Sequence, residues 1–485
     1  MGLKKNVFFI SILTTSNYVF PLLVYPYVSR VLGVTNIGLC NFIDNIINYF
    51  ILVSMMGINL MGNRQMAADR ARGISLTNSF SSLFTLNAIS TFVVLGVLVC
   101  CTYTIPTLRE NQQMMWYGAI RLVGNFMLIE WFYKGLEDFK YITYRTIFVK
   151  CLYVISIFIF IQSANDYTTY YLLTVLMVAV NAIINTVHSR KFVKFSFKGI
   201  NLKVLIKPFF IIGIYFVVTS LCTSFTVVYL GFSTNDTQVG YYTTAIKLYS
   251  ILLAFFTGVT SVIVPRMSSL LAQNKHDEFK GLLQKSTNLL FAFSIPVIIF
   301  TIVYAPDIIL LISGPGYEGA ITPMRIVMPM MLIIGLSQIT VIQGLMPLKE
   351  DKTIMINASI GASVSVALNI ILVPKLMSVG SAIAWVASEA TILILSQIAL
   401  NKIIKGKFPA SKLLQSLVAY IPLALLLTIL YFNLNINYWC DLIVSGVITG
   451  IYTIIVQYFV FKNPFLQQIT NKFSKFFKKP NMSRA

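Results

Sequence analysis

Among the ionisable residues within or at the edge of long apolar stretches, six are the first candidates for chemistry. Four are cations, Arg30, Arg121, Lys247 and Arg325, and two are acids, Asp44 and Glu389. An ionised side chain at the centre of a bilayer costs about 2.5–3.5 kcal/mol on insertion scales, so such groups normally face a cavity or a partner. Arginine's planar fork takes phosphate oxygens in pairs, and lysine binds them as a point charge. A chamber presenting Arg30, Arg121, Lys247 and Arg325 therefore suits a diphosphate. The competing role for Arg121 and Lys247 is a structural ion pair, and Arg325 also stands within reach of the outer interface. Asp44 and Glu389 are the candidates for ion coupling or gating. Asp44 falls at the depth of Lys247, which predicts a pair across the chamber, either permanent or parting when the outer side opens.

The composition sets the solvent in which these groups must be held. Of 485 residues, 57% are hydrophobic and 11% charged, against about 45–50% and about 25% in an ordinary soluble domain. Hydrocarbon must be the solvent for such a chain. A span needs about 20 mostly apolar residues, and fourteen stretches qualify: 7–29, 37–60, 79–101, 113–133, 146–163, 169–187, 208–230, 239–264, 286–312, 323–347, 354–374, 380–400, 413–432 and 439–461. The fold expected is an all-α integral membrane protein. Lys4 and Lys5 before the first stretch imitate a signal peptide, but the run is too long and has no small-residue cleavage site.

The net charge of +21 invites a nucleic-acid reading, yet the basic residues form short clusters between spans. With a cytoplasmic N-terminus, 30 of the 37 Lys and Arg residues fall on inner segments. Only Arg30, Arg109 and Lys375 fall outside, and four lie within spans. That asymmetry places both termini in the cytoplasm. No connection has room for a soluble catalytic or nucleotide-binding domain, and no phosphate-cradling glycine loop with a following lysine occurs. Two histidines, and six cysteines without a C-x-x-C pair, give little basis for metal, disulfide or cofactor chemistry. The cysteines Cys40, Cys100, Cys101, Cys151, Cys222 and Cys440 read as small hydrophobes.

A weak internal repeat is present. Gly38 and Gly240 are 202 residues apart, as are Arg64 and Arg266, and Arg121 and Arg325 are 204 apart. This predicts two six-helix lobes, residues 1–200 and 201–412, around a central cavity, with two further helices and a basic tail in 413–485. Six spans per half makes the repeat parallel, about an axis along the membrane normal. Pro21 and Pro26 in the first span, and Pro323 and Pro329 in the tenth, are candidate hinges or static kinks. Tyr25, Tyr27, Tyr241, Tyr242, Trp116 and Trp131 lie near span ends, where interfacial anchoring is the expected role.

Two short segments carry a resemblance. Tyr25-Pro26-Tyr27-Val28-Ser29-Arg30-Val31-Leu32-Gly33 followed by Gly38, and Trp131-Phe132-Tyr133-Lys134-Gly135-Leu136-Glu137 followed by Phe139-Lys140-Tyr141, resemble the signatures of bacterial polysaccharide flippases. That family belongs to the multidrug/oligosaccharidyl-lipid/polysaccharide exporter superfamily. The resemblance implies a non-enzymatic transporter of the bacterial inner membrane. It would move undecaprenyl-diphosphate-linked oligosaccharide of the O-antigen, capsule or exopolysaccharide type to the periplasmic leaflet by alternating access. It also implies that Arg30 meets the headgroup in the cavity, and that membrane lipid, a polysaccharide polymerase and chain-length proteins are partners. Two other readings stay open. A multidrug exporter of the same superfamily would hold an acidic cavity, and a membrane glycan polymerase or ligase would need a catalytic constellation, commonly on a sizeable outer loop.

Overall fold

A computed structural model describes residues 3–197, 199–221, 224–406, 408–434 and 437–462, so Cys222 and most of the basic tail lie outside the described residues. Every regular element among the described residues is helical. In hydrocarbon the backbone has no water to bond, and a helix satisfies its own N–H and C=O groups without a neighbour.

Among the described residues, ten helices are long and apolar enough to cross a membrane, eleven counting Asp236–Ala272, which is bent by 43° between Leu253 and Phe256. Two of these are too long for one crossing. Leu3–Met55 has 53 residues and Asp351–Ile404 has 54. A straight helix of that length measures about 80 Å, against a hydrocarbon core of about 30 Å. Each contains one non-helical residue where the chain turns back, Gly33 (φ 76°, ψ 167°) and Met377 (φ 50°, ψ −125°).

The hydrogen bonds follow both reversals. Tyr25 Oη lies 2.6 Å from Thr244 Oγ1, Thr35 Oγ1 lies 2.9 Å from Thr237 Oγ1, and Asn41 Nδ2 donates to Thr243 Oγ1 at 3.1 Å. The chain runs toward the start of the Asp236–Ala272 helix and then returns along it. In the second case Ser388 Oγ donates to the Gly361 carbonyl at 2.8 Å, and Asn357 Nδ2 to Ser396 Oγ at 3.1 Å. Residues on either side of Met377 therefore face one another as antiparallel legs. Counting both legs of each gives thirteen crossings. Gln112–Met127, 16 residues long, occupies the place of the expected fourth span. It ends before Ile129, which is left-handed at φ 39°, and the chain continues as Glu130–Gly135.

The spacing of 202 reappears as physical contact. Thr35 and Thr237 are 202 residues apart, and so are Asn41 and Thr243. A side chain added at Gly38 would strike Asp236 and Gly240, and one added at Gly240 would strike Val34. The leg 34–55 and the helix Asp236–Ala272 thus run parallel and cross where both lack side chains.

Several local expectations are corrected. The backbone stays helical through Pro21 and Pro26, with Gly33 the residue that breaks. In the tenth span the helix Ile321–Val327 ends and Met330–Ser337 begins around Pro329, so that proline does interrupt its span. Trp131, Tyr25 and Tyr242 are core residues, not interfacial anchors, whereas Trp116 is 42% exposed. Trp131 packs on Gly62, Gly135 on Met66, and Tyr133 Oη donates to the Asn185 carbonyl at 2.6 Å. The second signature segment therefore locks helices together near Ile129.

Candidate functional site

A cavity of about 410 Å³ lies between the leg 34–55 and the helices Ser224–Ser233, Asp236–Ala272, Met330–Ser337 and Asp351–Ile404. Asn41 and Asn45 line it from the leg 34–55, where Asn41 Nδ2 bonds Thr243 Oγ1. Lys247, Thr243, Ser250 and Tyr249 line it from Asp236–Ala272, with Trp385 from Asp351–Ile404 and Ser224 contributing a hydroxyl. The lining mixes neutral hydrogen-bonding groups with the apolar side chains of Val227, Ile246, Leu253 and Ile334, and holds one cation and no carboxylate.

The asparagines have a simple local origin. Asn41, Asp44, Asn45 and Asn48 are spaced three and four apart in an otherwise apolar helix, which aligns them on one face. That polar stripe was legible in the sequence, although attention to charge alone passes over it. Asp44 is held from two sides. It forms an ion pair with Arg121, and it accepts a hydrogen bond from Asn48 Nδ2 at 3.3 Å. Arg121 in turn donates to Asn48 Oδ1 at 3.2 Å. The three side chains form a closed ring between the leg 34–55 and the helix Gln112–Met127. Both helices belong to the first expected half, so Asp44 is neutralised by Arg121 and does not reach Lys247. The expected pair across the chamber is replaced by a pair within one half, because the helices 34–55 and 112–127 pack directly together.

Lys247 lines the cavity and forms no ion pair among the described residues. Its ammonium sits 4.3 Å from the centroid of the Tyr25 ring, a cation–π contact that steadies the charge without cancelling it. The Tyr25 hydroxyl is fixed by Thr244, so the ring is held in place.

The other expected residues lie elsewhere. Arg30 is exposed and donates to the carbonyls of Leu310 and Leu311 near the end of the helix Ala305–Ser313. Cations are favoured at such an end, where free carbonyls carry partial negative charge. Ser29 Oγ reaches the Ile312 carbonyl at 3.3 Å, and Tyr317 Oη donates to the Ser29 carbonyl at 3.1 Å. The first signature segment is therefore clamped to the second expected half. Arg325 is also exposed, and its Nε donates to the Ile302 carbonyl at 3.1 Å. Glu389 lies one helical turn beyond Trp385 and forms no ion pair among the described residues. The structure brings Arg121 and Asp44 together and leaves Lys247 as the cation on the cavity wall. Arg30 and Arg325 are engaged by main-chain carbonyls.

Comparison with known proteins follows from this geometry. A family model described as "Polysaccharide biosynthesis protein" matches residues 3–271. Two curated proteins provisionally named O-antigen transporters are similar to the chain. One, from Escherichia coli strain K12, is 26% identical over 400 residues, covering 81% of this chain and 95% of the relative. The other, from Shigella dysenteriae, is 25% identical over 278 residues, covering 55% and 68%. Among solved structures, the lipid II flippase MurJ in its inward closed conformation shares the fold, with a TM-score of 0.78 at 15% identity, covering 94% of this chain and 99% of that one. An inward-facing multidrug resistance MATE transporter of the MOP superfamily follows at a TM-score of 0.63 and 15% identity, covering 80% and 94%. With its multi-span helical fold and more than half its length matched, the chain belongs to the polysaccharide biosynthesis protein family.

Proposed function

We propose that this protein is a flippase that carries an undecaprenyl-diphosphate-linked oligosaccharide from the cytoplasmic to the periplasmic leaflet. In this reading the lobes 1–200 and 201–412 rock about their shared axis, residues 413–485 supply two further helices and a tail, and both termini are cytoplasmic in a bacterial inner membrane. The names of the relatives, O-antigen transporter and lipid II flippase, favour a glycan on a lipid diphosphate.

The observation that carries the proposal is the charge of the cavity wall. Lys247 is uncompensated, Asp44 is cancelled by Arg121, and the lining holds no acid. A diphosphate is drawn to such a wall, and the amides and hydroxyls around it match sugar hydroxyls. A multidrug exporter of cationic compounds fits this wall less well, because its cargo would meet Lys247 on the lining, while the acid Glu389 stands behind Trp385. Arg121 contributes to the proposed site through Asn48 and Asp44. Arg30 and Arg325 contribute when their carbonyl partners separate. With the N-terminus inside, the contacts of Ser29, Arg30, Thr35 and Asn41 lie on the outer side, and this conformation is closed outward. Glu389 is the proposed coupling group for a cation, since Asp44 is already held.

The test is translocation of an undecaprenyl-diphosphate-linked sugar in reconstituted vesicles. Lys247→Ala is expected to lower the rate at least about ten-fold, as expected for loss of one charge-assisted contact of about 1.5–3 kcal/mol. Lys247→Arg, which keeps the charge, should retain most of it. Equal rates in all three proteins would remove Lys247 from the mechanism and leave the charge argument without support.

A further inference from the structure

Lys150 is a cation held at membrane depth by neutral groups. It lies midway along the helix Phe139–Phe160. The first helix runs parallel to that helix at a constant offset of 134 residues. Thr143 Oγ1 donates to the Phe9 carbonyl at 3.1 Å, Lys150 Nζ to Ser16 Oγ at 3.2 Å, and Tyr27 Oη to the Ile161 carbonyl at 2.6 Å. Lys150 Nζ also donates to Asn17 Oδ1 at 2.7 Å and lies 5.6 Å from the centroid of the Phe20 ring. It forms no ion pair among the described residues, and Glu130 is taken by Lys134 and Arg145. An ammonium has three N–H donors, so two neutral partners fix the group and leave its charge and one donor for a ligand. Snorkelling to an interface does not explain it. Exposed Phe148, Leu152, Ile155 and Ile159 mark the lipid face of its helix, and Lys150 projects from the opposite one.

The first helix shows what Lys150 faces. Thr14, Tyr18, Pro21 and Tyr25 are spaced four, three and four apart, which puts them on one helix face. Toward Gly33 this face is closed, since Tyr25 is buried, bonded to Thr244 and covered by Lys247. Toward the N-terminus it opens. Thr14 and Pro21 are exposed, and so is Asn17 at the edge of the face. Polar groups at membrane depth are tolerated where they line water or meet a partner. The helices that meet at Tyr25 therefore part below it, and Thr14 and Asn17 line a chamber that opens toward the N-terminal end.

We infer that Lys150 is a second phosphate-binding cation, which receives the lipid diphosphate in this chamber before it reaches Lys247. This rests on the flippase reading above and adds an entry site to it. Asn17 lies eight residues before Tyr25, about 12 Å along the helix. The two ammonium groups, one bonded to Asn17 and one over the Tyr25 ring, therefore mark successive depths along one helix. Neither is cancelled by a carboxylate, so a diphosphate passes from one to the other without breaking an ion pair.

The test uses the full-length protein in detergent and two probes, a polyprenyl diphosphate and the matching neutral polyprenol. The wild type should bind the diphosphate more tightly. Lys150→Gln keeps N–H donors for Ser16 and Asn17 and removes the charge. It is expected to weaken diphosphate binding at least about ten-fold, the size of one charge-assisted contact, and to leave the polyprenol unchanged. Lys150→Arg should retain most of the affinity. A purely structural tie between the two helices would lower the unfolding midpoint of Lys150→Gln and spare its preference for the diphosphate. An unchanged preference, or an equal loss on both probes, overturns the entry site while the flippase reading stands. A second measurement leaves Lys150 intact. A cysteine placed at Thr14 should react with a charged thiol reagent from the cytoplasmic side, and the diphosphate probe should protect it where the polyprenol does not. No reaction, or equal protection by both probes, overturns the chamber and the entry site. A wild type that binds the diphosphate no better than the polyprenol overturns the flippase reading and the entry site together.

Discussion

Replacing Asp44 with Asn isolates the ion pair that links the leg 34–55 to the helix Gln112–Met127. Asp44 accepts from Arg121 and from Asn48, and Arg121 also donates to Asn48. Removing the carboxylate charge therefore leaves Arg121 with neutral acceptors only, the amide oxygens at positions 44 and 48, in a low-dielectric setting. Breaking a fully buried pair costs about 3–5 kcal/mol, and an exposed one about 0–1 kcal/mol. The side chains here are 17% and 31% exposed, so a cost of about 2 kcal/mol is expected, between those limits. The double variant Asp44→Asn/Arg121→Gln removes both charges and should recover most of that loss, giving a coupling energy of about 1–2 kcal/mol. The matching cycle on Asp44 and Lys247 should give a coupling near zero, because Asp44 is already neutralised. Unfolding midpoints in detergent, measured for both cycles alongside transport in vesicles, supply the readout. If Asp44 couples to Lys247 as strongly as to Arg121, or if the Arg121 coupling vanishes, the reasoning behind the cavity's charge is refuted.

Other expected outcomes follow from the backbone and the helix crossings. Gly33→Ala forces a side chain into a region that is essentially glycine-only and should cost about 1–3 kcal/mol, visible as a lower unfolding midpoint. Gly38→Leu places bulk against Asp236 and Gly240, so this crossing should open, with a loss of about 1–3 kcal/mol from overpacking. Under the proposed orientation, labelling of a cysteine placed at Thr35 from the periplasmic side should rise in that variant. Tyr133→Phe removes the bond to the Asn185 carbonyl and should cost about 1 kcal/mol in stability, with no change in affinity for a diphosphate probe.

The sequence was most informative where the solvent decides the outcome. Hydrocarbon leaves helices as the form open to an unpaired chain, so apolar run length marked the crossings, including the pairs hidden inside Leu3–Met55 and Asp351–Ile404. The spacing of 202 between Gly38 and Gly240 pointed to the crossing where those residues now touch. The aromatic roles were harder to read, because a tyrosine or tryptophan near a span end suits either an interface or a core. Only packing against Gly62 and Met66 separated those roles for the Trp131 segment.

What the residues by themselves determined was therefore the class of fold, where most of the crossings lie, and the list of charges that hydrocarbon cannot leave alone. Those are properties of each segment against its solvent, and a segment carries them whatever its neighbours. The tertiary structure alone decided which charges meet. Arg121 lies 77 residues from Asp44 and Arg30 lies 280 from the Leu310 carbonyl, and a one-dimensional pattern holds no record of which helix faces turn toward each other. Helix rotation and packing assigned Asp44 to Arg121, gave Arg30 to the end of a neighbouring helix, and left Lys247 with Trp385 and Tyr249 on the cavity wall.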